Sequence, residues 1–491
     1  MIKFAARVMA VIAVMALHTT VRAQDKPFVS PMFNDNMVLQ RGVRAPVWGW
    51  TTPGSTVKIT FNGRSVKAKA DDTGKWLAHV GPLGAGGPYT LTIAGTQTVT
   101  FNNILMGDVW ICSGQSNMEF GIGNANNAQQ EIAGANYPQI RLFTVAKKIA
   151  FVPQTTLSGH WDVCTPDTVK AGGWNGFSAV GYFFGRDLYD KLHVPIGLIH
   201  TSWGGTIAEA WTSPEALNAL SDFTDRVSEV RQKGQDPAQV ANPGNNPNIS
   251  TVLYNGMIAP IVPYAIKGAI WYQGESNAGR AFQYRSLLPT MIKDWRARFE
   301  VGDFPFYIVQ LANFTPVKSD PGDSDWAELR EAQLLTAETL PNTWLAVTTD
   351  IGDAADIHPK DKQDVGKRLA LASLARDYGV KGEYTGPVYK SMEKVMGGIR
   401  LTFEHVGAGL VAKDGGTLQG FAIAGDDKKW VWADAKIMKN SIIVSSPKVQ
   451  KPVAVRYAWA NNPVANLYNK EGLPATPFRT DDWPGVTVNN K

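Results

Sequence analysis

The segment Ser113-Gly114-Gln115-Ser116-Asn117-Met118 follows directly on the apolar run Val109-Trp-Ile-Cys. A serine at a strand-to-loop break presents its hydroxyl clear of its own backbone, and a neighbouring glycine lets other chain approach closely. Ser116 is therefore a candidate nucleophile. The α/β-hydrolase elbow Gly-x-Ser-x-Gly is excluded, because Met118 stands where its second glycine belongs. Two more polar glycine loops follow apolar runs. Trp203-Gly204-Gly205-Thr206 comes after Pro195–His200 and could aim backbone N–H groups at a developing oxyanion. Gln273-Gly274-Glu275-Ser276-Asn277 comes after Trp271-Tyr272 and supplies side-chain amides for the same task.

A serine nucleophile needs a base. Beyond residue 23 the histidines are His79, His160, His193, His200, His358 and His405. His200 closes an apolar run beside the Gly204-Gly205 loop and is one candidate. His358 lies in Asp356-Ile357-His358-Pro359, with a carboxylate two residues earlier. Pro359 biases His358 toward extended backbone, where residues i and i+2 share a side, so Asp356 can orient the imidazole.

Three loops at successive strand ends converge only if a mostly parallel sheet carries them, with ligands beyond its carboxyl ends. From about Leu105 to Tyr378 the pattern meets that need. Short apolar runs (109–112, 195–200, 268–272, 305–311, 343–348) alternate with amphipathic stretches such as Tyr284, Leu287, Leu288, Met291 and Trp295, a core-facing helical stripe. Before it, from Lys26 to Asn103, short alternating runs cut by Gly, Pro and Asn predict a small β-sandwich; Asn62-Gly63 and Thr73-Gly74 are turns. After Gly386, β-like alternation returns. The expected division is 24–104, an α/β core over 105–386 with a surface insertion at about 215–250, and a β-rich 387–491.

Composition narrows the function. The chain has 491 residues, 44% hydrophobic and 19% charged, which suits a folded multidomain protein and excludes a disordered one. Lys3 and Arg7 precede the apolar run Val8–Leu17, and Val21-Arg22-Ala23 ends in a small residue, the pattern of an export signal cleaved near Ala23. The expected destination is the periplasm or the medium. Three basic residues and no acidic one lie in that segment, so cleavage lowers the formal charge from +5 to +2. Such a balance gives no reason to expect a nucleic-acid partner, and no later apolar stretch is long enough to span a membrane. No Cys/His cluster has zinc-ligand spacing, so no metal or cofactor is expected. The two cysteines, Cys112 and Cys164, are either a disulfide or two buried thiols.

Taken together, Trp110-Ile-Cys-Ser-Gly-Gln-Ser-Asn-Met, Trp203-Gly-Gly-Thr with Glu209-Ala-Trp211, Trp271-Tyr-Gln-Gly-Glu-Ser-Asn and Asp356-Ile-His-Pro resemble the sialate O-acetylesterase family of the SGNH (GDSL-like) hydrolase superfamily. Asn34-Asp-Asn-Met-Val-Leu-Gln-Arg, Phe177–Gly185, Tyr254-Asn-Gly-Met-Ile and Tyr457-Ala-Trp-Ala-Asn extend the resemblance along nearly the whole chain. It implies an SGNH-like α/β sheet flanked by helices, acetyl-ester hydrolysis on a sugar, and no cofactor. It makes Ser116 the nucleophile and His358 the base. The oxyanion donors it implies are the Ser116 N–H, an N–H of the Gly204-Gly205 turn, and an amide of Gln273 or, ranked below it, Asn277. The usual Asp-x-x-His would put the acid at position 355, which is alanine here, leaving Asp356, then Asp353, then a Ser–His dyad. Trp203, Glu209, Trp271, Glu275 and Arg280 are the expected substrate contacts, Arg280 or Arg285 pairing with a sugar carboxylate. Acetylated xylan is an alternative substrate, and glycan binding without catalysis an alternative role.

Overall fold

The structure is a computed structural model that describes residues 26–491; the expected export signal lies outside the described residues. One long strand organises the backbone. Strands β1 (Val38–Gln40), β2 (Ala45–Trp50), β3 (Thr56–Phe61), β4 (Arg64–Lys69), β5 (Lys75–Val80) and β6 (Gly86–Ala94) precede β7, which runs unbroken from Thr98 to Gly114. The first half of β7 pairs with β6, and its second half is the centre of the main parallel sheet. The expected border at 104/105 therefore falls inside a single strand. The N-terminal module also shares its core with the α/β layer: Trp48 and Val57 belong to the same apolar cluster as Trp271 and Trp295.

The main sheet adds β8 (Tyr137–Thr144), β9 (Trp161–Cys164), β10 (Ile196–Ser202), β11 (Gly268–Tyr272), β12 (Phe306–Val309) and β13 (Thr343–Ala346). Its order is β13-β12-β11-β7-β10-β8-β9, parallel except for β9 against β8. Alternate residues of a strand face opposite sides. Thus Val109 and Ile111 enter one core, while Trp110 and Cys112 enter the other. Five helices matter for the site: α1 (Ser116–Glu119), α2 (Ala179–Leu192), α3 (Ala281–Phe299), α4 (Asp325–Thr339) and α5 (Lys362–Asp377). Helices α3 and α4 cover one face of the sheet, α2 and α5 the other. The predicted stripe from Tyr284 to Trp295 is fully buried.

Beyond residue 387, two four-stranded antiparallel sheets enclose a third core built on Ile399, Leu401, Ile423, Ile442, Val444 and Val455. The 215–250 stretch carries short helices at Pro214–Asn218, Thr224–Gln235 and Pro237–Ala241. Cys112 and Cys164 are free and buried, which answers the open disulfide question. Among the described residues no helix is long and apolar enough to cross a membrane, and no cluster of three or more His, Cys, Asp or Glu could hold a metal.

Candidate active site

The site begins where β7 stops. Gly114 has φ +140, and a Cβ there would lie 2.1 Å from the Tyr272 carbonyl oxygen, so only glycine lets the ends of β7 and β11 come this close. The Gln115 N–H donates to that carbonyl at 2.9 Å, and the chain turns into α1 with Ser116 as its first residue. The Gln115 side-chain oxygen accepts from the N–H groups of Gly274 (3.3 Å) and Ser276 (3.4 Å), tying the first loop to the third.

The second loop leaves β10 and packs on the serine. Gly204 sits so close that a Cβ there would be 3.3 Å from Ser116 Cβ. Its N–H is committed, however, to the Glu119 carboxylate at 2.6 Å, which also pairs with Lys147 at 2.5 Å. Gly205 is exposed, has φ +72, and its N–H donates to no acceptor among the described residues. Of the two N–H groups expected from this turn, that of Gly204 is engaged and that of Gly205 is left free among the described residues. Asn248, at the end of the 215–250 insertion, braces the turn by donating to the Gly205 carbonyl (3.0 Å) and accepting from Ile207 N–H (3.0 Å).

The third loop departs from expectation. Gln273 is fully buried; its amide nitrogen donates to the Thr206 carbonyl (3.1 Å) and Asn277 Oδ1 (2.6 Å), and its oxygen accepts from Tyr284 (2.8 Å). Both N–H bonds are used, so none is left for an oxyanion. Asn277 is buried too and donates to Glu209 at 2.9 Å. Glu209 is completely enclosed and holds Arg226 and Arg280, so it braces the loops from within, while the Arg280 side chain stays 19% exposed. Arg285 pairs with Glu331. Trp271 is wholly buried, stacked edge to face between Trp211 (6.1 Å) and Trp295 (5.8 Å), a core ladder and not a sugar platform. Trp203 is half-buried under the Lys147 ammonium, 5.2 Å from its ring.

His358 is presented by the lead-in to α5, whose first turn is capped by the Asp361 carboxylate accepting from Asp364 N–H at 3.0 Å. Its Nδ1 lies 3.3 Å from Asp356 Oδ1, and the same oxygen accepts the His358 backbone N–H at 2.9 Å. Asp353 instead accepts from Ala355 N–H at 2.8 Å. The imidazole is flanked by Phe120 (6.4 Å, stacked) and by Trp174 (4.9 Å, edge on). Trp174 is 39% exposed and held at φ +42, a conformation rare for a bulky residue. Partial burial lowers the imidazole pKa; Asp356 pulls it up, and the Lys362 charge pushes it further down. Asn117, buried beside Ser116, donates to the Ile357 carbonyl (3.0 Å), so α1 grips the residue before His358. No hydrogen bond joins Ser116 Oγ to His358 among the described residues; catalytic contacts of this kind are often long without substrate. His200 faces inward, bonded to Ser202 Oγ at 2.5 Å, with its pKa lowered by burial to about 4.

Asn117, Glu119, Lys147, Lys362 and Asn248 were not singled out from the sequence. Asn117 lies inside the serine motif and Glu119 directly after it; nothing local marks Lys147 or Asn248.

A helix-flanked, mostly parallel sheet with serine, glycine-turn and Asp-x-His loops beyond its strand ends is the SGNH-like α/β arrangement. The family model for carbohydrate esterase, sialic acid-specific acetylesterase, matches residues 106–375. The human sialate O-acetylesterase is 33% identical, with 93% of each chain covered, and the mouse enzyme 32%, covering 90% of this chain and 92% of that one. The crystal structure of a carbohydrate acetylesterase from Xanthomonas citri is 40% identical, with a TM-score of 0.83 over 93% of this chain and 99% of that one. The chain belongs to the sialate O-acetylesterase family and is a carboxylic ester hydrolase acting on sugar O-acetyl groups.

Proposed function

We propose that Ser116, His358 and Asp356 carry out the hydrolysis and that O-acetylated sialic acid is the substrate. The observation that carries the residue assignment is the grip of α1 on the histidine loop: the helix that starts at Ser116 bonds Ile357 and packs Phe120 against His358. His358 Nε2 takes the hydroxyl proton as Oγ attacks the acetyl carbonyl. The N–H groups of Ser116 and Gly205 receive the oxyanion, and the sugar alcohol leaves with the proton from His358. Water then attacks the acetyl-serine through the same base and releases acetate. Asp356 orients the ring throughout, and the exposed indole of Trp174 walls the entrance.

Acetylated neutral sugars are a second reading, favoured by one observation: Arg280 and Arg285, the cations expected to meet a sugar carboxylate, are both engaged by internal carboxylates. The names of the human and mouse relatives support sialic acid. Acetate release from O-acetylated sialic acid and from acetylated xylo-oligosaccharides, measured side by side, decides between them. Ser116→Ala should abolish release from either while the fold persists; turnover surviving in that variant would remove the nucleophile assignment. Binding of glycan with no acetate released by the wild type would leave only a lectin-like role. The first 23 residues are proposed as an export signal, tested by the N-terminal sequence of the mature protein.

A further inference from the structure

Three polar groups meet under the catalytic loops around Asn117, which is 1% exposed. Its amide nitrogen donates to Glu275 Oε1 (2.7 Å) and to the Ile357 carbonyl (3.0 Å), and its oxygen accepts from Lys362 Nζ (2.6 Å). Lys362 has no exposed surface, opens α5 four residues after His358, and lies 4.7 Å from the Phe120 ring and 5.1 Å from the Tyr272 ring. Among the described residues Glu275 Oε2 is buried without a partner.

The chemistry of these groups fixes the amide. An ammonium only donates and a carboxylate only accepts, so Lys362 dictates where Asn117 Oδ1 points and Glu275 where Nδ2 points. That orientation presents an N–H to the Ile357 carbonyl. The flipped amide would set oxygen against oxygen and release the residue that precedes the base. We infer that Lys362 is a positioning residue for His358, acting through Asn117 to hold the Ile357–His358 backbone against Ser116. The inference rests on the Ser116/His358 reading and adds to it a residue that touches neither substrate nor reacting atoms.

The ammonium acts on His358 by charge as well as through Asn117. The charged groups facing Lys362 are Glu275 from the third loop and Asp356 and Asp361 from its own approach, all holding its proton, whereas burial pulls its pKa down to about 7. His358 is in turn faced by Asp356 and Lys362; burial lowers the imidazole pKa most, and the Lys362 charge lowers it further against the pull of Asp356. Removing that charge raises the imidazole pKa. The acid limb of kcat/KM, which reports the free enzyme's base, must then move to higher pH.

The test is p-nitrophenyl acetate hydrolysis across pH by the full-length protein, comparing wild type, Lys362→Met and Lys362→Met/Glu275→Gln, with folding followed by near-ultraviolet circular dichroism. Both variants should lose about 10²-fold in kcat, as misplacement of a reacting group does, with KM changed far less and the acid limb displaced upward. The double variant leaves no uncompensated buried carboxylate and judges the case should the single one misfold. An acid limb at the wild-type position, or wild-type kcat in the double variant, would make Lys362 a mere counter-ion to Glu275 and overturn the inference. Failure of both to fold would assign Lys362 to stability and overturn it equally. Ser116→Ala, assayed alongside, separates failure of the nucleophile assignment from failure of this one.

Discussion

Two aspartates stand before His358, and sequence spacing alone ranks them only weakly. Asp356 spends one oxygen on both the His358 backbone N–H and its Nδ1, so the carboxylate fixes the loop and the ring together. Asp353 is turned into its own bend, capping Ala355. Asp356→Asn should therefore reduce kcat by on the order of 10²–10⁴-fold, the range expected when general base catalysis is disabled, while Asp353→Asn leaves it nearly intact. Collapse of turnover in the second variant and not the first would reverse the assignment.

Among the elements, the strand ends do the positioning, and β10 carries a stability signature. His200, near its carboxyl end, is held neutral by burial with a pKa of about 4, against roughly 6.5 for an unhindered histidine. Between those values the unfolded chain binds a proton that the folded chain refuses. Its contribution is thus fully present above about pH 6.5 and lost as pH falls toward 4, by about 3 kcal/mol in all. His200→Gln should flatten this part of the melting temperature's pH dependence. A wild-type and variant difference that stays constant from pH 7 to pH 4.5 would contradict it.

At the scale of the molecule, the C-terminal part is latched to the catalytic layer from two sides. The fully buried Arg330 of α4 donates to the carbonyls of Leu311 and Ala312 behind β12 and to those of Ala460 and Asn461 in the C-terminal module. The last residues fold back onto the start of α3 and onto α4. The Thr487 hydroxyl donates to buried Glu328 (2.5 Å) and accepts from Phe282 N–H (3.0 Å), the first turn of α3. Thr487→Ala leaves both partners with one bond fewer in a dry place. It should cost about 1–3 kcal/mol, read as a lowered melting temperature with kcat little changed. An unchanged melting temperature would show the tail to be a passive cover.

The sequence by itself determined the strand, loop and helix rhythm, the buried stripe of α3, and the three glycine loops with Ser116, because these follow from local periodicity and turn chemistry. It also paired Asp356 with His358, but by an extended-backbone argument, whereas the two meet across a bend in which the Asp356 carboxylate accepts the His358 backbone N–H. Partnerships across the chain it did not determine. Whether Gln273, Glu209, Arg280 and Trp271 face a substrate or each other depends on which distant groups the fold brings to them, and here it brings Thr206, Asn277, Tyr284 and Trp295. The border expected at residue 104 rests on a change of composition along the chain, whereas the β7 backbone and the apolar core beneath it run through that position. Only tertiary structure could decide that Lys362, 245 residues from Asn117, reaches back to it, because a buried charge is identified by what surrounds it in space and not by its neighbours in sequence.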